Sequence, residues 1–239
     1  MPCRSGVAGI GSEVVTARDT VLASIRSALA VNGREAPRRK EVADRLNGHP
    51  AGIVPARGHV PPKEQVALFL KMLAGAAGTS EIVAGVDAVP GAIGNFLRAN
   101  NLPLSVRRGE DAVLTSLPWS REPMLEVTTG PSDGNQLASV SHAFAGVAET
   151  GTLVLTSGPD NPTTLNFLPD VHIVVVDAAD IAPDFEVVMA RLRERYGTGA
   201  MPRTVNMITG PSRSADIEQT LLLGAHGPRK LHVIVVGNP

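Results

Sequence analysis

The sequence predicts an α/β protein: a largely parallel sheet flanked by helices, with an N-terminal helical arm. Three observations carry this. From Pro61 onward, helical and extended patterns alternate in a βαβ-like rhythm. Two near-continuous apolar runs, Pro169 to Val176 and Leu231 to Val236, read as central strands buried on both faces. At 239 residues with 43% hydrophobic content, the chain has enough apolar material for a sizeable core.

The elements follow in order. From Ser12 to about Val31, the apolar residues Val15, Val21, Leu22, Ile25 and Leu29 recur at helical spacing with Asp19 early, which predicts an amphipathic helix outside the main sheet. Gly33 to Pro62 carries prolines, glycines and the basic run Arg38-Arg39-Lys40 without sustained periodicity, and reads as a linker or wrapping arm. The basic run itself reads as a solvated face. This places the arm at residues 1–60 and the α/β domain at 61–239. Within the domain, a helix follows the Pro-Pro pair from Lys63 to Ala76, then a strand around Glu81–Ala84, a helix around Ala92–Ala99 and a strand around Leu104–Val106. Leu137–Phe144, Gly151–Thr156 and Val171–Asp177 read as strands, and Phe185–Tyr196 as a helix with Arg191, Arg193 and Arg195 toward its end. A strand over Thr204–Thr209, a helix opening near Ser212 and capped near Gly224, and the final strand close the chain.

Composition narrows the function. Twenty-two basic and twenty-three acidic residues nearly cancel and only 3% of residues are aromatic, so neither a phosphate-tracking surface nor base-stacking platforms are present and nucleic acid is not an expected partner. The opening MPCRSGVAGIGSEVV lacks an apolar core of signal-peptide length, and no segment approaches the roughly 20 apolar residues of a spanning helix, so a soluble, cytoplasmic protein without a membrane span is expected. Cys3 is the only cysteine, and no internal disulfide or multi-thiolate cluster can be built from it. His142, His172, His226 and His232 lie far apart without metal-ligand spacing, so no metal site is expected.

In open α/β sheets ligands bind beyond the carboxyl ends of strands, which directs attention to three corners. At Ala148-Glu-Thr-Gly-Thr152, Glu149 is a candidate base or nucleophile, or else a turn acid capping backbone amides. The loop from Ser157 to Asn166 offers hydroxyls and amides to a small polar ligand, or is simply a turn. At Gly210-Pro-Ser-Arg-Ser214 a helix start would present amides to an anion with Arg213 adding a two-pronged contact, although Asp216 and Glu218 would already complement its dipole and Ser212 or Ser214 would cap it. His226, in the Gly224-Ala-His-Gly-Pro228 loop, is a candidate proton donor or acceptor, or a backbone ligand. The candidate site thus places Glu149 and His226 in catalytic roles opposite Gly210, Ser212, Arg213 and Ser214, with Gly151, Thr152, Asn161 and Asn166 completing the substrate-binding set.

Four ordered motifs run from Val140 to Gly237: Ala148-Glu-Thr-Gly-Thr-Leu153, Leu168-Pro-Asp-Val-His-Ile173, Ile208-Thr-Gly-Pro-Ser-Arg-Ser-Ala-Asp-Ile-Glu218, and Gly224-Ala-His-Gly-Pro228 with Leu231-His-Val233. Together they resemble the lactate-utilization protein C family, the LUD-domain proteins. The resemblance implies a fold like that of ribose-5-phosphate isomerase, glucosamine-6-phosphate deaminase and the coenzyme A transferases. It also implies a role beside iron–sulfur partner subunits in oxidising L-lactate to pyruvate, this chain supplying no cofactor of its own. Glu149-Thr-Gly151 is similar to the turn carrying the attacking acid of coenzyme A transferases, whereas sugar-phosphate loops are not evident. Thr163 and Thr164 stand where some members carry an arginine. Two function classes follow: a non-cluster subunit that binds a small carboxylate or organises partners, and a free-standing transferase- or isomerase-type enzyme using Glu149. Because Cys3 cannot supply four thiolates, the purified chain alone is expected to hold no iron–sulfur cluster. Stoichiometric iron and sulfide in a Cys3→Ala preparation would contradict this.

Overall fold

The protein is described by a computed structural model over residues 16–197, 199–217 and 220–237; Cys3, Glu218 and the Ser12–Val15 start of the first predicted helix lie outside the described residues. The chain divides into two compact units, Met1–Gly52 and Ile53–Pro239.

The first unit contains two helices, α1 (Ala17–Ala28) and α2 (Ala36–Gly48). A reciprocal cap begins α1: the Thr16 hydroxyl accepts from the Asp19 amide at 3.2 Å and the Asp19 carboxylate accepts from the Thr16 amide at 3.1 Å. Helix α2 corrects the expectation of an irregular linker. Pro37 sits in its first turn, and the pairs Lys40–Asp44 and Glu41–Arg45, both at 2.7 Å, bridge successive turns. Neither helix buries a residue, so α2 has no apolar stripe from which periodicity would reveal it.

The second unit is built on a six-stranded parallel sheet. Its strands, in spatial order, are β1 (Thr79–Val83), β12 (Lys230–Val236), β7 (Val171–Asp177), β4 (Ala138–His142), β2 (Ser105–Arg108) and β3 (Glu126–Thr129). The two strands predicted to be central are central. Their side chains alternate between two layers. Val171, Ile173, Val175, Ile234 and Val236 pack with Val89, Ile93 and Leu97 of α4 (Val89–Ala99). Val174, Val176, Leu231, Val233 and Val235 face the other way, against Val66, Phe69 and Leu73 of α3 (Pro62–Gly75). Each such fully buried aliphatic side chain contributes about 1.5–3 kcal/mol.

A second sheet, which the sequence did not announce, lies on the α3 side. It has the order β8 (Ile181–Ala182), β5 (Ala145–Val147), β6 (Thr152–Thr156), β9 (Val205–Ile208), with β5–β6 and β6–β9 antiparallel. Leu153 and Leu155 pack toward the main sheet, while Val147 and Val154 pack with Val188 and Leu192 of α7 (Phe185–Tyr196). Gly151 turns β5 into β6 at φ +67°, and its missing Cβ is what lets the backbone of Leu73 in α3 lie against the turn. Two short helices, α5 (Ala112–Ser116) and α6 (Thr164–Phe167), sit in loops of the main sheet.

The closing region differs most from expectation. In place of a helix after Ser212, the chain forms an antiparallel hairpin, β10 (Arg213–Ile217) with β11 (Thr220–Leu223). A short apolar run such as Thr220-Leu-Leu-Leu223 satisfies either periodicity, and cross-strand pairing here meets the backbone hydrogen bonds. Ser214 and Asp216 are therefore strand residues, Gly224 ends no helix, and the helix-dipole reading of Asp216 and of Arg213 falls away.

His172 is the polar residue that interrupts the apolar face of β7. It is fully buried, and burial alone lowers its pKa to about 3. The ring of the unfolded chain, near its ordinary 6.5, thus binds a proton that the folded ring refuses. Its contribution is constant above pH 6.5 and becomes destabilising as pH falls from 6.5 toward 3. The slope approaches about 1.4 kcal/mol per pH unit. Urea unfolding at successive pH values is expected to show a shallower acid loss in His172→Gln; parallel curves for the two proteins would contradict the assignment.

Candidate functional site

The carboxyl ends of β2, β4, β6 and β7 open into a cleft of ≈ 580 Å³. Parallel pairing of β2 with β4, Arg108 opposite Val140, sets the loop after β2 beside the end of β4. There Asp111 caps α5, its Oδ1 accepting from the amides of Val113 at 2.9 Å and Leu114 at 3.4 Å. The same oxygen lies 3.3 Å from Nδ1 of His142, the last residue of β4. Burial works to raise the Asp111 carboxyl, but the hydrogen bond and charge of His142, with the two amides, hold it below its ordinary value. Asp111 therefore stays an anion that fixes the tautomer of His142 and leaves Nε2 as the ring nitrogen available to a ligand.

Across the cleft stand Asp180 and Arg195. Asp180 follows β7 in a turn whose Asp177 accepts from the Ala179 amide at 2.8 Å; burial first, and then the Asp177 charge, push the Asp180 carboxyl up. Arg195, in the last turn of α7, lies 5.8 Å from the ring centres of both Phe144 and Tyr196. Among the described residues no carboxylate pairs with Arg195. The cleft thus combines a cation with unspent donors, an imidazole oriented by a carboxylate, and a second carboxyl that holds its proton more readily than usual. Such a set can anchor a small anion and move a proton beside it.

The predicted residues divide between this cleft and a second hollow. The second corner is split: Ser157 to Asn161 line the cleft, with Asn161 Nδ2 donating to the Thr156 carbonyl at 2.9 Å, whereas Asn166 lines a smaller hollow of ≈ 290 Å³. That hollow lies at the amino ends of β7 and β12, and Gly210, Ser212, Arg213 and His226 also line it. Ser214 lies next to Arg213 in β10. Glu149 lines neither space, which corrects the placement of Glu149 opposite Arg213. Its side chain is buried at the start of α7, with Oε1 3.4 Å from the amide of Phe185 and Oε2 without a partner. Thr152 links the turn to β9's end through its hydroxyl, 2.6 Å from that of Thr209. Asp111, His142 and Asp180 were missed, although His142 falls inside a predicted strand and Asp111 and Asp180 follow predicted strands by five and three residues.

Gly210 has a conformational role. Its φ is +81°, and a Cβ there would run into the carbonyl oxygen of Ala76. Gly210→Ala is expected to destabilise the fold by about 1–3 kcal/mol or more, through an unfavourable φ compounded by the clash. Thermal unfolding of the variant at the wild-type midpoint would contradict this.

Comparison with known proteins agrees with this architecture. A sequence-family profile described as the LUD domain matches residues 134–236. An uncharacterized protein of Neisseria meningitidis is 35% identical over 148 residues, which is 60% of this chain and 63% of that protein. Lactate utilization protein C of Geobacillus thermodenitrificans is 41% identical over 107 residues, 44% of this chain and 45% of that protein. Its Bacillus subtilis namesake is 38% identical over 104 residues, 42% and 43% of the respective chains. The matches thus span between 43% and 63% of these relatives' own lengths. The crystal structure of a DUF162 family protein from Deinococcus radiodurans superposes with a TM-score of 0.52 and 25% identity, covering 74% of this chain and 99% of that one. Residues 134–236 of this chain are thus similar in sequence to the LUD domain.

Proposed function

We propose that this chain serves lactate utilization as the component that binds a small 2-hydroxy or 2-oxo carboxylate in the carboxyl-end cleft, alongside iron–sulfur partner subunits. The observation that carries the reading is the Asp111–His142 pair, 3.3 Å apart, in one cleft with the guanidinium of Arg195, which no carboxylate pairs among the described residues. The names of the Geobacillus and Bacillus relatives supply the substrate class.

A 2-hydroxy carboxylate asks two things of a protein. Its carboxylate needs a planar pair of donors, which Arg195 offers. Its hydroxyl must lose a proton as the carbon is oxidised, and Nε2 of His142 accepts it while Asp111 stabilises the resulting imidazolium. Oxidation to the 2-oxo acid releases two electrons and two protons. One proton goes to His142; the other leaves with the electrons toward the partner subunits. With Cys3 as its one cysteine, the chain has no ligand set for a multi-thiolate cluster, so electron transfer belongs to those partners. The alternative, an enzyme attacking through Glu149, is less favoured because that carboxylate lines neither hollow.

Calorimetric titration of L-lactate and pyruvate, with partner subunits present, tests the reading. Arg195→Ala is expected to weaken binding by about 10- to 150-fold, the equivalent of about 1.5–3 kcal/mol for a charged hydrogen bond, with little change in melting temperature. His142→Gln is expected to retain binding and lose turnover. Unchanged affinity in Arg195→Ala would remove the cleft from consideration.

A further inference from the structure

The hollow at the amino ends of β7 and β12 stands apart from the carboxyl-end cleft, and its floor has an unusual feature. His172 is fully buried there beside Leu231. Its Nε2 lies 3.0 Å from the Ser141 hydroxyl, and that hydroxyl donates to Oδ1 of Asn166 at 3.0 Å. Ser141 has one proton and has given it to Asn166, so Nε2 of His172 must be the donor in the first contact. Nδ1 then carries a lone pair, and it has no hydrogen-bond partner. A buried acceptor left in this state is costly, and a group that lines a cavity is positioned to be completed by what enters the cavity.

Hydrogen bonds tie the surroundings together. The Ser139 hydroxyl donates to the Leu165 carbonyl at 2.6 Å, which pins α6 to β4. The amide of Ser212 donates to the Pro228 carbonyl at 2.8 Å and that of Gly224 to the Ser212 carbonyl at 2.9 Å, so the two loops forming the rim are tied together. Between floor and rim, Phe167, Met207 and Leu231 supply apolar wall beside neutral polar groups such as Asn166 and Thr209. At the rim itself, Arg213 and His226 are exposed.

We infer that this hollow is a second ligand site, distinct from the lactate cleft, for a small apolar carboxylic acid bearing a hydroxyl or N–H donor remote from its acid group. The donor meets Nδ1 of His172 at the floor. The body of the ligand lies against Phe167, Met207 and Leu231, and its carboxylate reaches the guanidinium of Arg213 at the rim. The buried ring, held neutral by its surroundings, suits this role: it accepts a hydrogen bond and offers no positive charge to an anion at that depth. The acid end is therefore held outward and the donor end inward, which sets the polarity of binding. Lactate, with hydroxyl and carboxylate on adjacent carbons and no apolar body between, does not span the hollow.

The test uses 4-hydroxybenzoate as probe and benzoate, which keeps the acid and ring but lacks the donor, as control. In the full chain with ¹⁵N-labelled histidine, the His172 ring is expected in the Nε2–H form. Its signals are identified by their loss in His172→Gln or, where that variant does not fold, by their failure to titrate down to pH 4. Addition of 4-hydroxybenzoate is expected to shift the Nδ1 resonance, and to bind at least tenfold more tightly than benzoate. Arg213→Ala is expected to weaken it at least tenfold, and Arg195→Ala to leave it unchanged. That last arm separates this site from the lactate cleft, since either can fail alone. An Nδ1–H tautomer, equal affinities for the two acids, or no saturable binding of either at millimolar concentration would overturn the proposal.

Discussion

The parallel ladder that seats β12 between β1 and β7 is the constraint on which the second unit depends. From Lys230 opposite Val171 to Val236 opposite Asp177, it joins the last strand of the chain to one nearly sixty residues earlier, while Thr79 to Val83 pair on its far side. Each rung brings side chains to both layers at once. The ladder therefore sets the floor for α4 on one face and for α3 with the second sheet on the other. Parallel pairing yields no hydrogen bonds until the long connections close, so these buried strands must supply their stabilisation through packing, and their sequences are nearly all aliphatic.

Polar residues inserted into this apolar ladder have particular partners. His232 faces the α4 layer, stacked 4.0 Å from Phe96 and hydrogen-bonded through its two ring nitrogens to Thr79 at 2.9 Å and Glu81 at 3.1 Å. His172 faces the opposite layer with one ring nitrogen engaged by Ser141. The contrast is informative: two histidines on neighbouring central strands, one with both nitrogens engaged, the other with one left over beside a cavity. Burial disfavours the charged form of both rings, but of the two only His172 keeps a ring nitrogen without a partner.

The two ends of the sheet consequently differ in chemistry. At the carboxyl ends, loops converge with charges of both signs, and an imidazole is oriented by a carboxylate that also caps a helix. Asp111 ties the orientation of His142 to the position of α5, so a local rule of helix capping becomes part of the site's geometry. At the amino ends, the walls mix apolar side chains with neutral polar ones, the cation stands at the rim, and the buried polar side chains, His172 and Asn166, are uncharged. Charged chemistry suits the first space and shape recognition the second.

Much of this was legible from sequence because it depends on local pattern. The apolar runs at Val171 and Leu231, the capped helix at Phe185 and the four ordered motifs from Val140 onward report strand burial, helix ends and family resemblance directly. Gly210, Ser212, Arg213 and His226 were placed together from sequence and do line one hollow, but a hairpin, not the expected helix, returns the two loops to one rim. Other features are set by pairing between distant segments. The short strands of the second sheet have too few residues to show a period, and the run after Thr220 fits helix and strand equally until a partner strand decides. Asp111 and His142 lie thirty-one residues apart, and neither carries a motif; they meet because β2 pairs with β4 in one register. Glu149 shows the converse: its local turn was read correctly, but its surroundings come from α7, and that packing turned it away from both hollows. Periodicity and capping act within a few residues and are written in the chain; side-chain convergence is a property of strand order, which only the folded sheet determines.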